Sequence, residues 1–291
     1  MTIRKSGFNR RSTAEQVTGG LDLSGKTALI TGVNSGLGFE SMRVLASRGA
    51  HVIGAARTLE KAAGACDQID GDTTPVACEL SDFDSVVDCA NEVISLDRSI
   101  DILMCNAGIM ALPKLEQKYG LELQFVTNHL GHFLLVNYLL DRVIEAPAGR
   151  IVLLSSAAHM SPRPGGIEFD NLSGESGYSG WSFYGQSKLA NLLTAVELSR
   201  RLESTNATAN AVHPGVIETN LGRHMGGFLT SAIRVFSPLF ERSVEQGAAT
   251  QCYVATHPKV EGVSGRYFAD CNIARSTRHG KDTKLADYLP G

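Results

Sequence analysis

At 291 residues the chain is long enough to bury a full core, as one large domain or two small ones. Apolar residues supply 43% and charged residues 20%, the balance of an ordinary globular protein rather than a disordered or fibrous one. The net charge is −3 with no long Lys/Arg run, which argues against a nucleic-acid partner, and no stretch approaches the roughly 18–20 uninterrupted apolar residues of a membrane helix.

Residues 1–20, MTIRKSGFNRRSTAEQVTGG, are polar and lack the apolar core of a signal peptide; they read as a partly helical, partly mobile arm. The remainder, 21–291, reads as one domain. KTALIT (26–31) is a short β-rich run, and GLGFESMRVLASRG (36–49) has helical periodicity with a glycine stop. Strand HVIGAA (51–56), helix 59–69, strand TPVACEL (74–80), helix 82–95 and strand IDILMCNAG (100–108) continue the alternation. A long helix is expected over 120–146, then strand RIVLLSS (150–156), a Gly/Ser/Pro-rich insertion 157–180 and a helix over 182–203. NATANAVHPG (206–215) gives a strand, 216–241 is irregular with apolar patches, 243–257 is helical and GRYFA (265–269) is a last strand. Such alternation predicts a single-domain, doubly wound, Rossmann-type α/β sandwich: a central, mostly parallel seven-stranded sheet with helices on both faces. Six cysteines without CxxC spacing fit reduced, structural thiols in a cytoplasmic protein, with neither a disulfide framework nor a metal site expected.

Three patterns carry chemistry. TGVNSGLG (31–38) lies where the first strand becomes the first helix. Gly32, Gly36 and Gly38 allow a tight turn and close backbone approach, and the helix N-terminus favours a pyrophosphate, with Asn34, Ser35 and Leu37 completing the loop. At the end of the second strand, where an acid would bind the ribose of NAD, the chain has Arg57 and no acid until Glu60. A guanidinium there suits a 2′-phosphate, and a solvated arginine is the plain alternative. In WSFYGQSKLAN (181–191), Tyr184 and Lys188 share one helical face, so an ammonium lies beside a phenol whose ionised form it favours.

With TGVNSGLG, NAG (106–108), Asn128 in NHLGHF, Ser155-Ser156, Tyr184-x-x-x-Lys188 and HPGVIETNL (213–221) in this order, the chain resembles the short-chain dehydrogenase/reductase family over roughly residues 14–275. NAGIMALP, QFVTNHLGHFLL and YGQSKLANLL are most similar to the retinol dehydrogenase and WW-domain oxidoreductase branch. The resemblance implies an acid/base role for Tyr184, ribose binding and tyrosine activation for Lys188, and a relay water held at Asn128. It also implies that Ser156 steadies the substrate oxygen, although spacing alone does not choose between Ser155 and Ser156. Asn106, Ala107 and Gly108 would line the adenosine side, Glu79 and Leu80 the adenine, and Pro214, Gly215, Val216 and Thr219 the nicotinamide. Glu79 departs from the family's more usual Asp. The 157–180 insertion is usual for the branch, whereas the apolar N-terminal anchor of the animal enzymes is missing, so no membrane location is carried over.

The resulting expectation is an enzyme that transfers hydride between NADP(H), with NAD(H) as the alternative, and a small apolar alcohol, aldehyde or ketone. A non-catalytic nucleotide sensor or scaffold is the rival from another class; it would tolerate loss of Ser156, Tyr184 or Lys188, and all three are present. His129 is read as making ordinary helix contacts, and His159 and Met160 as neighbours of the site. Residues 216–241 are expected to form an apolar lid. Apolar helices at 120–146 and 182–203 suggest a homodimer.

Overall fold

A computed structural model describes residues 5–161, 165–215 and 242–287. The expected lid, 216–241, therefore lies outside the described residues, with Val216 and Thr219 in it.

Short helix α1 (Ala14–Val17) precedes the first βα unit, β1 (Thr27–Thr31) and α2 (Gly36–Ser47). Then come β2 (His51–Ala56), α3 (Leu59–Cys66), β3 (Thr73–Ala77), α4 (Phe83–Ser95) and β4 (Ile102–Cys105). The second half carries α5 (Gly131–Ile144), β5 (Arg150–Leu154), α6 (Gly180–Arg201), β6 (Thr208–His213), α7 (Val244–Thr256), β7 (Tyr267–Ala269), β8 (Asn272–Ile273) and α8 (Thr283–Asp287).

Every residue of β1, β2 and β4 is buried, the pattern of strands covered on both faces. Successive side chains feed opposite cores. Ala28, Ile30, Val52 and Met104 join α2 and α7 residues such as Met42, Leu45 and Cys252. Leu29, Ile53, Leu103 and Leu153 join Val86 of α4, Leu135 of α5 and Leu192 of α6. The sheet runs β8-β7-β6-β5-β4-β1-β2-β3 and is parallel except for the β7–β8 pair. Strand order reverses between β1 and β4, so the carboxyl ends of these strands flank a switch-point crevice.

Three expectations are corrected. The sheet has eight strands, not seven. Asp270 and Cys271 adopt φ of 54° and 57°, forming the two-residue turn that folds β8 back on β7. The helix expected from 120 begins at Leu123, after a hairpin pairing Gln117–Lys118 with Leu121–Glu122 around Tyr119 and Gly120. It then passes through a π-helical turn, Val126–Leu130, before α5. Finally, the arm expected to be partly helical and partly mobile is helical over Ala14–Val17 and packed on the body along residues 5–20. Ala14 and Val17 are buried in the α2–α7 core, Glu15 pairs with Arg43 (3.1 Å) and Arg48 (2.8 Å), and Lys259 Nζ donates to the Ser6 carbonyl at 2.8 Å. Among the described residues, no helix is long and apolar enough to cross a membrane.

Candidate active site

The glycine loop closes as its residue types require. Gly32 and Gly36 have φ of 76° and 59°, in the left-handed region that glycine enters at little cost. A Cβ on Gly38 would collide with the Gly32 carbonyl oxygen and approach Asn106 Nδ2 to 2.7 Å, and one on Gly32 would meet Ala107 Cβ at 2.9 Å. Helix α2 therefore starts directly against the 106–108 loop. Ser35 caps it without a side-chain hydrogen bond, leaving the first-turn N–H groups to serve an anion. A dinucleotide pyrophosphate fits this cradle.

One hydroxyl organises the floor. Thr31 Oγ1 accepts from the Asn106 and Ala107 amides at 2.9 and 3.0 Å and lies 2.8 Å from His132 Nε2. His132 Nδ1 is 3.0 Å from the Asn128 carbonyl, which can only accept, so Nδ1 carries the hydrogen and Thr31 donates to Nε2. Burial holds the His132 imidazole down to a pKa of about 3, so the ring is neutral. Asn106 also donates from Nδ2 to the Thr31 carbonyl at 2.9 Å, and its Oδ1 accepts from Gln251 of α7 at 3.2 Å. Arg57, directly after β2, pairs with Glu79, just beyond β3: Nε to Oε2 is 3.0 Å. Gly215 has φ of 96°, and Arg242 crosses behind it, donating to the Pro214 carbonyl at 3.2 Å.

The polar residues of α6 gather around the ends of β4 and β5. Tyr184, Lys188 and Asn191 fall on one buried side of the helix. Lys188 Nζ donates to the Leu154 carbonyl at 3.1 Å and sits 5.6 Å from the Tyr184 ring centre. Burial drives the lysine down to a pKa of about 8 and the tyrosine up to about 12, a hydrogen bond with the Ser156 side chain pulling the tyrosine the other way. In the chain alone burial thus works against ionisation of the tyrosine. Ser155 and Ser156 diverge: Ser155 Oγ turns inward to the Lys188 carbonyl at 2.7 Å, whereas Ser156 faces Tyr184.

Asn128 sits in the π-helical turn and is wholly buried. Its side chain accepts from the Ile109 amide at 2.8 Å and donates to the Ile109 carbonyl (2.9 Å) and Ser187 Oγ (3.0 Å). Its carbonyl accepts from His132 and, at 3.0 Å, from Asn191 Nδ2. Both carbonyl lone pairs are engaged, so the relay water expected there meets an occupied acceptor. Gly108 is pressed into the same cluster, since a Cβ on it would lie 2.8 Å from Asn128 Oδ1 and 3.4 Å from Lys188 Nζ. His132 is expected near the site, like His129 and His159, whereas Thr31, Asn191 and Gln251 are not singled out from the sequence; the readable signal is Tyr184, Lys188 and Asn191 on one side of the helix. His129 is the ordinary contact expected of it, 3.3 Å from Asn191 Oδ1.

Residues 26–226 match the family model described as short chain dehydrogenase. The chain belongs to the short-chain dehydrogenase family. It is 44% identical to the chloroplastic short-chain dehydrogenase TIC 32 B of Brassica napus, covering 98% of this chain and 92% of that one. Human retinol dehydrogenase 14 is 39% identical, covering 92% of this chain and 84% of its own, which places this short-chain dehydrogenase in the retinol dehydrogenase-like branch. An uncharacterised protein of Mycobacterium paratuberculosis superimposes with a TM-score of 0.76 at 33% identity, covering 94% and 93% of the two chains. Like the family, this chain is an oxidoreductase with the doubly wound fold.

Proposed function

We propose that the chain is an NADP(H)-preferring dehydrogenase/reductase for apolar alcohols, aldehydes or ketones, with Tyr184 as the acid/base. The observation that carries this is the constellation of buried Tyr184 and Lys188 with partly buried Ser156 beside the switch-point crevice. Gly32, Asn34, Ser35, Gly36, Leu37 and Gly38 would hold the pyrophosphate. Arg57 would take the 2′-phosphate, Glu79 and Leu80 the adenine, and Asn106, Ala107 and Gly108 the adenosine. Pro214, Gly215, Val216 and Thr219 would face the nicotinamide. When bound, the cofactor supplies or accepts the hydride.

The chain's own part is proton handling and orientation. In reduction Tyr184 gives its phenolic proton to the substrate oxygen while the Ser156 hydroxyl donates to the same atom; oxidation reverses both. Lys188 supplies a positive charge that favours the phenolate and holds the cofactor ribose. Asn128 locks the turn before α5 to α6 and to the 109 loop, which keeps these groups in register. An apolar substrate is supported by Trp181, half-exposed and edge-on to Tyr184 with ring centres 6.1 Å apart. A cytoplasmic location goes with this reading, since all six cysteines are free and buried.

NADPH oxidation followed by absorbance against a panel of carbonyl compounds tests the assignment. Tyr184→Phe should bind NADPH like the parent and lose nearly all turnover. Lys188→Ala should lose both. Substantial turnover by Tyr184→Phe would refute the mechanism.

A further inference from the structure

Behind the Tyr184 constellation lies a small group of polar atoms that the mechanism above does not use. His159 Nε2, Tyr267 Oη and His213 Nδ1 are all buried and have no hydrogen-bond partner among the described residues. The His159 and Tyr267 rings meet edge to face with centres 4.7 Å apart. Tyr267 pairs with Ala211 in the β6–β7 ladder, and His213, two residues on, faces the same side of the sheet, the side covered by α6. His213 and His159 each lie within the other's electrostatic reach, as do Tyr267 and Tyr184.

The protonation pattern follows from what is bonded. His159 Nδ1 lies 2.6 Å from the carbonyl of Ser156, and a carbonyl only accepts. Nδ1 therefore carries the hydrogen. Burial lowers the pKa of His159, so the ring is neutral and Nε2 is a bare acceptor. Burial raises that of Tyr267, so its hydroxyl keeps its proton and is a donor. An acceptor, a donor and a second imidazole nitrogen are thus buried on one side of the sheet without bonding one another. A molecule that both donates and accepts, and that makes two to four bonds, satisfies all three: water.

We propose that His159, Tyr267 and His213 hold one buried water molecule. His159, fixed by it at Nε2, is then a positioning residue that clamps the Ser156 backbone and so aims the Ser156 hydroxyl at the substrate oxygen. This rests on the assignment of Ser156 and Tyr184 as the groups that meet that oxygen. The link is short: the carbonyl His159 holds and the hydroxyl that faces Tyr184 belong to the same residue.

The test pairs diffraction with kinetics on the complete enzyme. A high-resolution crystal structure should show an ordered water within hydrogen-bond distance of His159 Nε2 and Tyr267 Oη. A dry chamber, or a side chain from 216–241 filling it, would overturn the proposal. His159→Leu removes both ring nitrogens and should lower kcat on the order of tenfold to a hundredfold with NADPH affinity unchanged. His159→Asn can restore a donor near Nδ1 and should recover much of that kcat, and Tyr267→Phe should show a smaller loss of the same kind. Parental kcat in both His159→Leu and Tyr267→Phe would refute the positioning role even if Tyr184→Phe is inactive. Should His159→Leu fail to fold, Tyr267→Phe and the crystallographic water decide. Turnover by Tyr184→Phe would instead overturn the acid/base assignment and, with it, the role given to Ser156.

Discussion

At the scale of single residues, Lys188 shows how burial and function oppose each other. It is 2% exposed, and burial brings its pKa from 10.5 to about 8. Below pH 8 the ammonium is charged in both folded and unfolded chains, and the folded state bears the whole desolvation cost. Between about 8 and 10.5 the unfolded chain holds a proton that the folded chain has lost, so this group's contribution to stability rises with pH. Lys188→Met keeps the volume and removes the charge, and the Leu154 carbonyl retains Asn191 as a donor at 3.1 Å. The cofactor-free variant should therefore be more stable than the parent at pH 7, by at most roughly 3 kcal/mol, with the gain shrinking as pH rises through that window. Denaturant titrations at pH 7 and 10 check the sign; a constant difference would mean that folding leaves the Lys188 pKa unshifted. Arg57 poses the reverse problem. Its pairing with Glu79 has side chains 62% and 28% exposed, and such a pair contributes only about 0–1 kcal/mol. A charge-assisted phosphate contact contributes roughly 1.5–3 kcal/mol, so a 2′-phosphate should win Arg57 from Glu79. NADPH should then bind more tightly than NADH, Glu79→Gln should tighten NADPH up to about fivefold by removing the competitor, and Arg57→Asp should reverse the preference. Fluorescence titrations giving equal parental affinities for the two cofactors would sink the phosphate role.

At the scale of elements, close approach of backbones decides more than helix propensity. Gly131 opens α5, and a Cβ there would collide with the Leu80 carbonyl oxygen and lie 2.9 Å from the carbonyl carbon. In an open helix Gly→Ala is favourable by about 1 kcal/mol, but the obstacle here is main chain, which cannot rotate aside, and such overpacking costs about 1–3 kcal/mol. Gly131→Ala should therefore lower Tm by several degrees, at about 2–4 °C per kcal/mol, and weaken cofactor binding by moving Leu80. An unchanged or higher Tm would show that the α5–Leu80 approach is loose. The same scale explains what the sequence discloses. Strands β1, β2 and β4 are legible as short apolar runs because they are covered on both faces, and the glycines of 31–38 because a side chain would obstruct Gly32 and Gly38 and Gly36 has a φ of 59°. The 117–122 hairpin and β8 are illegible because two-residue strands have no periodicity. Their turns rest on Tyr119, Gly120, Asp270 and Cys271 at positive φ, of which Gly120 and Asp270 are the types that commonly signal that geometry. The Thr31–His132 bond joins residues 101 apart, and only the sheet order brings them together.

At the scale of the whole molecule, the question is whether the apolar outer side of α6 is a partner's seat. Leu189, Ala190 and Leu193 form a small core with Phe125, Ile167 and Ala286, flanked by Leu130, Leu172 and Leu285. The chain's own 167–172 segment and α8 therefore occupy the face on which a homodimer was expected, and Arg200 fastens α8 through Asp287 at 3.0 Å. On α5, Tyr138 is the large apolar side chain left exposed among the described residues, beside exposed Asn137 and Asp141. A stable interface buries about 1,200–2,000 Å² around an apolar centre, and among the described residues the exposed side of α5 offers Tyr138 as its large apolar side chain. The full chain should run as a monomer in light scattering at micromolar concentration. Removing residues 282–291 should expose Leu189 and Leu193, cost on the order of 2 kcal/mol of stability, and drive concentration-dependent association. A truncated chain that stays monomeric and as stable as the parent would show that α8 covers nothing of consequence. A full chain that dimerises without losing protection of 283–287 from hydrogen exchange would place the interface on another face.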